Sequence, residues 1–443
     1  HQDLLDVQLF AYDRPFLSAL GYPQSWAHVN SWEGNWATHN SVWSVVDGVE
    51  PLQLPFDTPW HFLKEIAGRG RLVRVLRTEG VQVVEIEASR WVFDTDAMRW
   101  MQPGVSYRRL IAFVETGGQG VALVDLARIH GGDEHWRMCR GLEGTLQLQG
   151  AGKQPQSGTL AGRDIERGQL DAVRHGDHLG LAWMDDVDLI EGGDAIRGTW
   201  TSVHDDQAHL DLHILRTTPG TQLRSARAAS VMDSPERSRY NYRTLAWQRT
   251  APGDSTTCVD LLFEPRIDTS ALTATRTIGA DIETASAVAL RTETRELTLY
   301  WSPDRGPDEV TIFDDGTELQ GPLAVASSGL TRMRRRLCLP APRQSGAIVA
   351  LDRRNCTIDV QGFDDVEAGN RIVINPEGRA HNYAIIAVES LHSTTLRLTL
   401  DMASLHGRAR IAALDGAHLE LDFFLITRTA SLHGTRLQRE FDD

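Results

Sequence analysis

Two histidines bracket the stretch of this chain that is densest in chemistry. His1 and His39 sit at the ends of apolar, strand-like runs, and Tyr22, Trp26, His28, Trp32 and Trp36 lie between them in a segment rich in Gly, Asn and Ser. Imidazole nitrogens from two strands are sensible zinc ligands. A tyrosine or histidine of suitable pKa can give or take a proton. Indole rings offer broad apolar faces. Polar ligands and aromatic rings on a loop between strands suit a binding cleft.

The elements that must position these residues read as strands. Period-2 patterns run over Leu5–Ala11, Ser41–Val46, Leu72–Leu76 and Val81–Ile86. Tyr107–Glu115 and Gly120–Ile129 are two more, and the turn Thr116-Gly117-Gly118-Gln119 predicts a hairpin between them. Another strand is expected at Trp136–Arg140. Residues 145–200 have weak periodicity and read as loops and short strands. Composition shifts around Arg334-Arg335-Arg336 and Pro340-Ala341-Pro342-Arg343, which reads as a linker, and short strands with close turn signals follow it. No segment combines helical length with helical periodicity. The expected fold is all-β: a large antiparallel β-sandwich over residues 1–345, then a small all-β domain over 346–443.

The order and spacing of motifs in residues 1–48 resemble the β-sandwich domain of the heparinase II/III-like polysaccharide lyases. The matching residues are His1, Asp3 and Leu5, then Asp13-Arg14-Pro15-Phe16-Leu17, then Leu20-Gly21-Tyr22-Pro23. Thr38-His39-Asn40-Ser41-Val42 and Val45-Val46-Asp47-Gly48 close the match. Strand-like runs extend the resemblance over most of residues 1–345. It implies a supersandwich that forms one wall of a cleft, with an α/α toroid from the same parent protein or a companion chain forming the other. The reaction implied is β-elimination on a uronic-acid polysaccharide of glycosaminoglycan or alginate type. The C5 proton is abstracted, the carboxylate is neutralised, and the O4 leaving group is protonated.

The resemblance implies catalytic roles for Tyr22 and His39, and sugar stacking for Trp26, Trp32 and Trp36. It also implies a zinc held by His1 and His39, with a family Asp ligand whose place is taken here by Ala19. The bland readings are a turn residue for Tyr22, hydrogen-bonded structural histidines, and at least one core tryptophan. The run Arg332–Arg336 reads as a solvated linker or, alternatively, as a sulfate contact.

Length and charge bound the rest. A chain of 443 residues holds two or three domains, and its mean hydropathy of -0.30 is that of a soluble protein. A net charge of -15 argues against nucleic acid as a partner, since phosphate binding needs a basic surface. An acidic polysaccharide remains compatible if cations cluster locally. No window is apolar enough for a membrane helix. The four cysteines, Cys139, Cys258, Cys338 and Cys356, are far apart and read as free thiols, or as one or two disulfides in an exported protein. There is no signal peptide; the family implies a periplasmic or secreted location, and a start at His1 that cuts through a longer protein. The alternative function is a non-catalytic carbohydrate-binding or structural sandwich. Coding sequence for a helical toroid upstream of His1, with a second His two positions before it, would separate the two.

Overall fold

The structure is a computed structural model. It describes residues 5–18, 28, 31–46, 69–78, 80–89, 92–94, 99–101, 104–117, 120–230, 234–236, 241–267, 269–293, 295–306, 309–327, 336–338, 344–352, 355–363, 366–368, 371–374, 381–392, 394–400, 411–415, 418–421, 424–426 and 429–433. His1, Tyr22, Trp26, Ala19 and Arg332–Arg335 lie outside these.

Among the described residues there is no α-helix, and helical structure is confined to short 3-10 turns such as Trp36–Thr38, Leu170–Ala172 and Gly176–Trp183. The chain is all-β. A small hairpin, β1 (Leu9–Ala11) and β2 (Arg14–Leu17), precedes β3 (Val42–Val45). Then come β4 (Arg69–Thr78), β5 (Val81–Ser89), the pair β6 (Val92–Asp94) and β7 (Arg99–Met101), β8 (Ser106–Gly117) and β9 (Gly120–His130). β10 (Glu134–Gln156), β11 (Asp185–Ser202), β12 (Ala208–Thr217), β13 (Gln222–Ala229), β14 (Asn241–Thr250) and β15 (Thr256–Ile267) follow. Eleven of these form one antiparallel sheet in the order β3-β10-β14-β13-β11-β12-β15-β9-β8-β5-β4.

β5 and β8 alternate buried and half-buried side chains, as a strand with one covered face should. β9 and β15 are buried along nearly their whole length, because layers cover both of their faces. One layer is a four-stranded sheet, β16 (Ala274–Ile278), β17 (Ser286–Arg291), β18 (Glu296–Trp301) and, beyond the short strands β19 (Val310–Ile312) and β20 (Glu318–Gln320), β21 (Leu323–Ser327). Its Val288, Leu290, Leu299 and Trp301 pack on Leu110, Val124, Leu126 and Leu262 of the large sheet. Between the layers, the Arg128 guanidinium stands 4.6 Å over the Trp301 ring and pairs with Asp260.

The region from 145 to 200 departs from its sequence reading. β10 is 23 residues long and changes partner midway, pairing with β14 up to Glu143 and with β11 from Gly144. Its second half reads Leu-Gln-Leu-Gln: Leu146 is buried and Leu148 half-buried, while Gln147 and Gln149 are exposed. Polar residues and glycines hid a genuine alternation. The glycines are steric requirements. A Cβ on Gly141 would lie 2.4 Å from the Trp200 ring, and one on Gly144, at φ +149, would lie 2.0 Å from the Thr201 carbonyl oxygen.

Downstream, β22 (Arg336–Cys338) pairs parallel to β20. Six strands then close a barrel: β23 (Gln344–Asp352), β24 (Thr357–Gln361), β25 (Arg371–Ile374), β26 (His381–His392), β27 (Thr395–Leu400) and, after a three-stranded sheet of β28 (Ile411–Asp415), β29 (His418–Leu421) and β30 (Phe424–Ile426), β31 (Thr429–His433). Closure removes the exposed edges that short strands would otherwise leave. The barrel has its own core of Ile358, Val360, Ile372 and Leu398.

Cys139 and Cys258 are free thiols, and burial pushes the Cys139 thiol up to about 12.

Two histidines of the large sheet give it a pH dependence. His135 accepts at Nδ1 from the Thr257 hydroxyl (2.6 Å) and donates from Nε2 to the Gly131 carbonyl (2.9 Å). Burial lowers its pKa to about 4, and burial does the same to His213 with help from Arg197. Both are neutral in the fold and take up a proton on unfolding below pH 6.5. Their contribution is therefore complete above that pH and is lost as pH falls to about 4. The slope reaches about 1.4 kcal/mol per pH unit for each histidine. Denaturant unfolding across this window should show the decline, and His135→Gln should make it shallower. A flat profile between pH 6.5 and about 4 would contradict the assignment.

Candidate functional site

The segment ending in His39-Asn40 is built by local turns before it joins the sheet. Asn35 caps the Trp36–Thr38 turn, its Oδ1 accepting from the Ala37 N–H at 3.2 Å. Its Nδ2 donates to the Gly176 carbonyl at 3.0 Å, which pins this turn to the one at Gly176–Trp183. The Thr38 hydroxyl lies 2.8 Å from both the Trp32 and Asn35 carbonyl oxygens. The small, polar residues that made this stretch look like a loop are the ones that satisfy its buried backbone.

Asn40 is the point of attachment. Its Oδ1 accepts from the Arg140 N–H at 2.7 Å, and its own N–H donates to Asp6 Oδ1 at 2.7 Å. Its carbonyl accepts from Val7 N–H (3.3 Å) and from Arg109 Nη1 (2.8 Å). Arg109 Nη1 also donates to the Leu5 carbonyl. The same guanidinium forks onto Asp125, with Nε to Oδ1 at 2.8 Å and Nη2 to Oδ2 at 2.5 Å. Arg137 Nη2 reaches the same Oδ2 at 2.6 Å. Burial opposes charge on all three groups, yet the two guanidiniums hold the Asp125 carboxyl below its ordinary range, and Asp125 holds Arg109 above its own. Arg137 is lowered, chiefly by burial.

His39 is 5% exposed, and its Nδ1 lies 3.9 Å from Asp6 Oδ2. Burial alone would raise the Asp6 carboxyl; His39, the Asn40 N–H and Arg109 outweigh it and hold the group below its usual value. The resemblance implies a carboxylate near position 19, where Ala19 stands. The carboxylate beside His39 is instead Asp6, carried by the segment ahead of β1. Among the described residues no three His, Cys, Asp or Glu side chains converge as a metal site. His1, the second expected ligand, lies outside them.

The stacking role expected of Trp32 and Trp36 is corrected by their burial. Trp32 is 0% and Trp36 6% exposed, and both belong to a core cluster with Trp43, Trp136 and Trp183. Trp43 and Trp136 stack at 5.5 Å between centroids, their planes almost parallel. Neither Trp32 nor Trp36 presents an open face to a sugar ring. Two aromatic-rich strands need a thick cover, and the turns of 31–38 supply it.

Asp6, Arg109, Asp125, Arg137 and Arg140 were missed as functional candidates. The available signal was a charge inside an apolar strand: Arg109 in YRRLIAFVE and Asp125 in VALVDLARI. Buried charges in strands must be paired.

No family model matches the chain, and no curated protein does. Among solved structures, heparan sulfate lyase HepC from Pedobacter heparinus aligns with TM-score 0.39 and 10% identity, over 69% of this chain and 37% of that one. A heparinase III structure aligns with TM-score 0.38 and 13% identity, over 68% and 36%. The chain thus spans little more than a third of the length of these structures. Among the described residues no helix is long and apolar enough to cross a membrane. A likeness this distant leaves activity and substrate to be argued from the residues.

The Arg109–Asp125–Arg137 triad carries the first test. Asp125→Asn keeps the shape and leaves two guanidiniums buried without their shared counter-charge. It should cost about 3–5 kcal/mol in denaturant unfolding. Adding Arg137→Met should recover part of that loss. A cost below about 1 kcal/mol would show that the triad does not hold the segment in place.

Proposed function

We propose that this chain is the β portion of a heparinase II/III-like polysaccharide lyase, acting on a uronic-acid polysaccharide by β-elimination. The sandwich is one wall of the cleft, and an α/α toroid, in the same parent protein or a companion chain, is the other. The observation that carries this reading is the state of the His39-Asn40 motif. It is buried, has the Asp6 carboxylate 3.9 Å from the His39 ring, and is anchored through Asn40 to a buried polar network of the large sheet. An ordinary loop has no need of such fixation, whereas a reaction centre does.

In this reading Tyr22 stands at the cleft and delivers a proton to the leaving O4. His39 lies deep, so its part is positional: it stiffens the wall and would bind metal. Imidazole and carboxylate are suitable zinc donors, and His39 with Asp6 would hold the ion together with His1. Bound zinc would supply folding free energy by tying the start of the chain to β3. The two buried tryptophans take no part in sugar contact, which leaves Trp26 as the remaining candidate for stacking.

Two measurements test the proposal. Incubation of the parent protein with alginate, heparan sulfate, chondroitin sulfate and hyaluronan should raise the ultraviolet absorbance of an unsaturated uronate with at least one of them. Tyr22→Phe should then reduce the rate by about 100-fold or more. No absorbance with any polymer would leave the non-catalytic sandwich. Separately, elemental analysis should find zinc in the native protein, and His39→Ala should lose the metal and thermal stability together. Zinc-free native protein would reduce His39 to a hydrogen-bonding residue.

A further inference from the structure

The described part of the large sheet carries a second concave feature, away from His39. Residues 157–178, between β10 and β11, fold back over the sheet and roof a cavity of about 680 Å³. That is within the range of small-molecule sites, about 300–1,000 Å³. Arg163, Arg174 and His175 belong to the roof. Glu134 of β10, Arg224 of β13 and Gln248 of β14 belong to the floor. Along β10, Glu134 stands six residues from Arg140, the Asn40 contact, or roughly 20 Å at strand spacing.

The walls are unusual for so acidic a chain. Arg224 donates to two amide oxygens, Gln248 Oε1 and, at 2.7 Å, Gln222 Oε1, and not to a carboxylate. Its Nε is buried and has no partner among the described residues. Burial lowers this guanidinium, Glu134 opposes the change, and Arg163 adds to it by repulsion. An anion placed between Arg163 and Arg224 would relieve that repulsion. Glu134 is already committed: it accepts from Trp136 Nε1 and from Gln248 Nε2 at 2.6 Å, and lies 3.9 Å from His178 Nε2.

We propose that this cavity is a separate carbohydrate subsite that takes an anionic sugar residue, a uronate or a sulfated unit. The anion lies against Arg163, Arg174 and Arg224, and the hydroxyls face Asp133, Thr159 and Gln156. The mixture of signs decides the ligand class. A bare phosphate or sulfate would be repelled by Asp133 and Glu134, whereas sugar hydroxyls need acceptors of that kind beside the guanidiniums. The proposal does not rest on turnover, so it stands or falls apart from the lyase reading.

The test is calorimetric titration of the full chain with four probes: a heparan sulfate tetrasaccharide, an alginate tetrasaccharide, a neutral dextran tetrasaccharide and sodium sulfate. At least one acidic tetrasaccharide should bind, dextran should not, and sulfate should not compete at equal concentration. Arg163 is exposed, so Arg163→Glu should fold normally and weaken binding by about tenfold. Arg276→Glu, on exposed β16, makes the same charge change elsewhere and should alter affinity by less than about twofold. Equal weakening by both variants would mean diffuse attraction and overturn the site. Binding of dextran, full competition by sulfate, or no binding of either acidic probe would overturn it too.

Discussion

One buried carboxylate sets the geometry of the N-terminal part of this protein. Asp125 neutralises two guanidiniums that would otherwise be intolerable in the sheet interior. One of them, Arg109, uses its remaining donor on the carbonyls of Leu5 and Asn40. Those two residues belong to segments 35 positions apart in sequence, with no regular pairing between them other than Val7 to Asn40. Arg109 adds a tie from the sheet to the Val7–Asn40 and Asp6–Asn40 hydrogen bonds that join them. Apolar packing can bury a segment, but it does not fix register as a forked, charged hydrogen bond does. The orientation of Asp6 against His39 follows from that fixation, since Asp6 also receives the Asn40 N–H.

Much of the architecture was legible because its signals are local. Val81–Ile86, Tyr107–Glu115 and Gly120–Ile129 alternate or run apolar, and each lies within an observed strand. The Gly-Gly turn after Glu115 joins β8 to β9 in antiparallel register. The failures came where one pattern serves two purposes. The second half of β10 is polar on its outer face and glycine-rich where Trp200 and β11 approach, so it reads as a loop. Burial also misled in the other direction. Trp32 and Trp36 sit among Gly, Asn and Ser, which suggested an exposed aromatic loop. In the fold those polar residues satisfy backbone groups, and the rings fill the core.

The candidate site was legible only in part, for a related reason. A motif read along the chain names residues that are close in sequence, such as His39 and Asn40. It cannot name the partners that fix them. Asp6, Arg109 and Arg140 reach Asn40 or His39 from three separate elements, and Asp125 acts on them through Arg109. Only a charge placed inside an apolar strand hints at them, and the hint says that a partner exists without saying which. Arg109 could have paired with any acidic residue of its neighbours; register puts it beside Asp125 because β8 and β9 align Arg109 with Ala127 and Ile111 with Asp125.

Net charge and local charge must be kept apart when such a protein meets an acidic polymer. A chain at -15 repels a polyanion at long range, but salt screens that field within about 8–10 Å. Inside that distance only the nearest groups count. Around the cavity over β10, β13 and β14, three guanidiniums and two imidazoles face two carboxylates. The local sign is therefore the reverse of the global one. Such a surface binds slowly and selectively: the overall charge discourages random adhesion of polyanions, and only a ligand shaped to enter the cavity escapes the repulsion. Specificity for a sugar over a bare anion then follows from the negative charge of Asp133 and Glu134 in the wall, which repels a ligand that brings charge without hydroxyls.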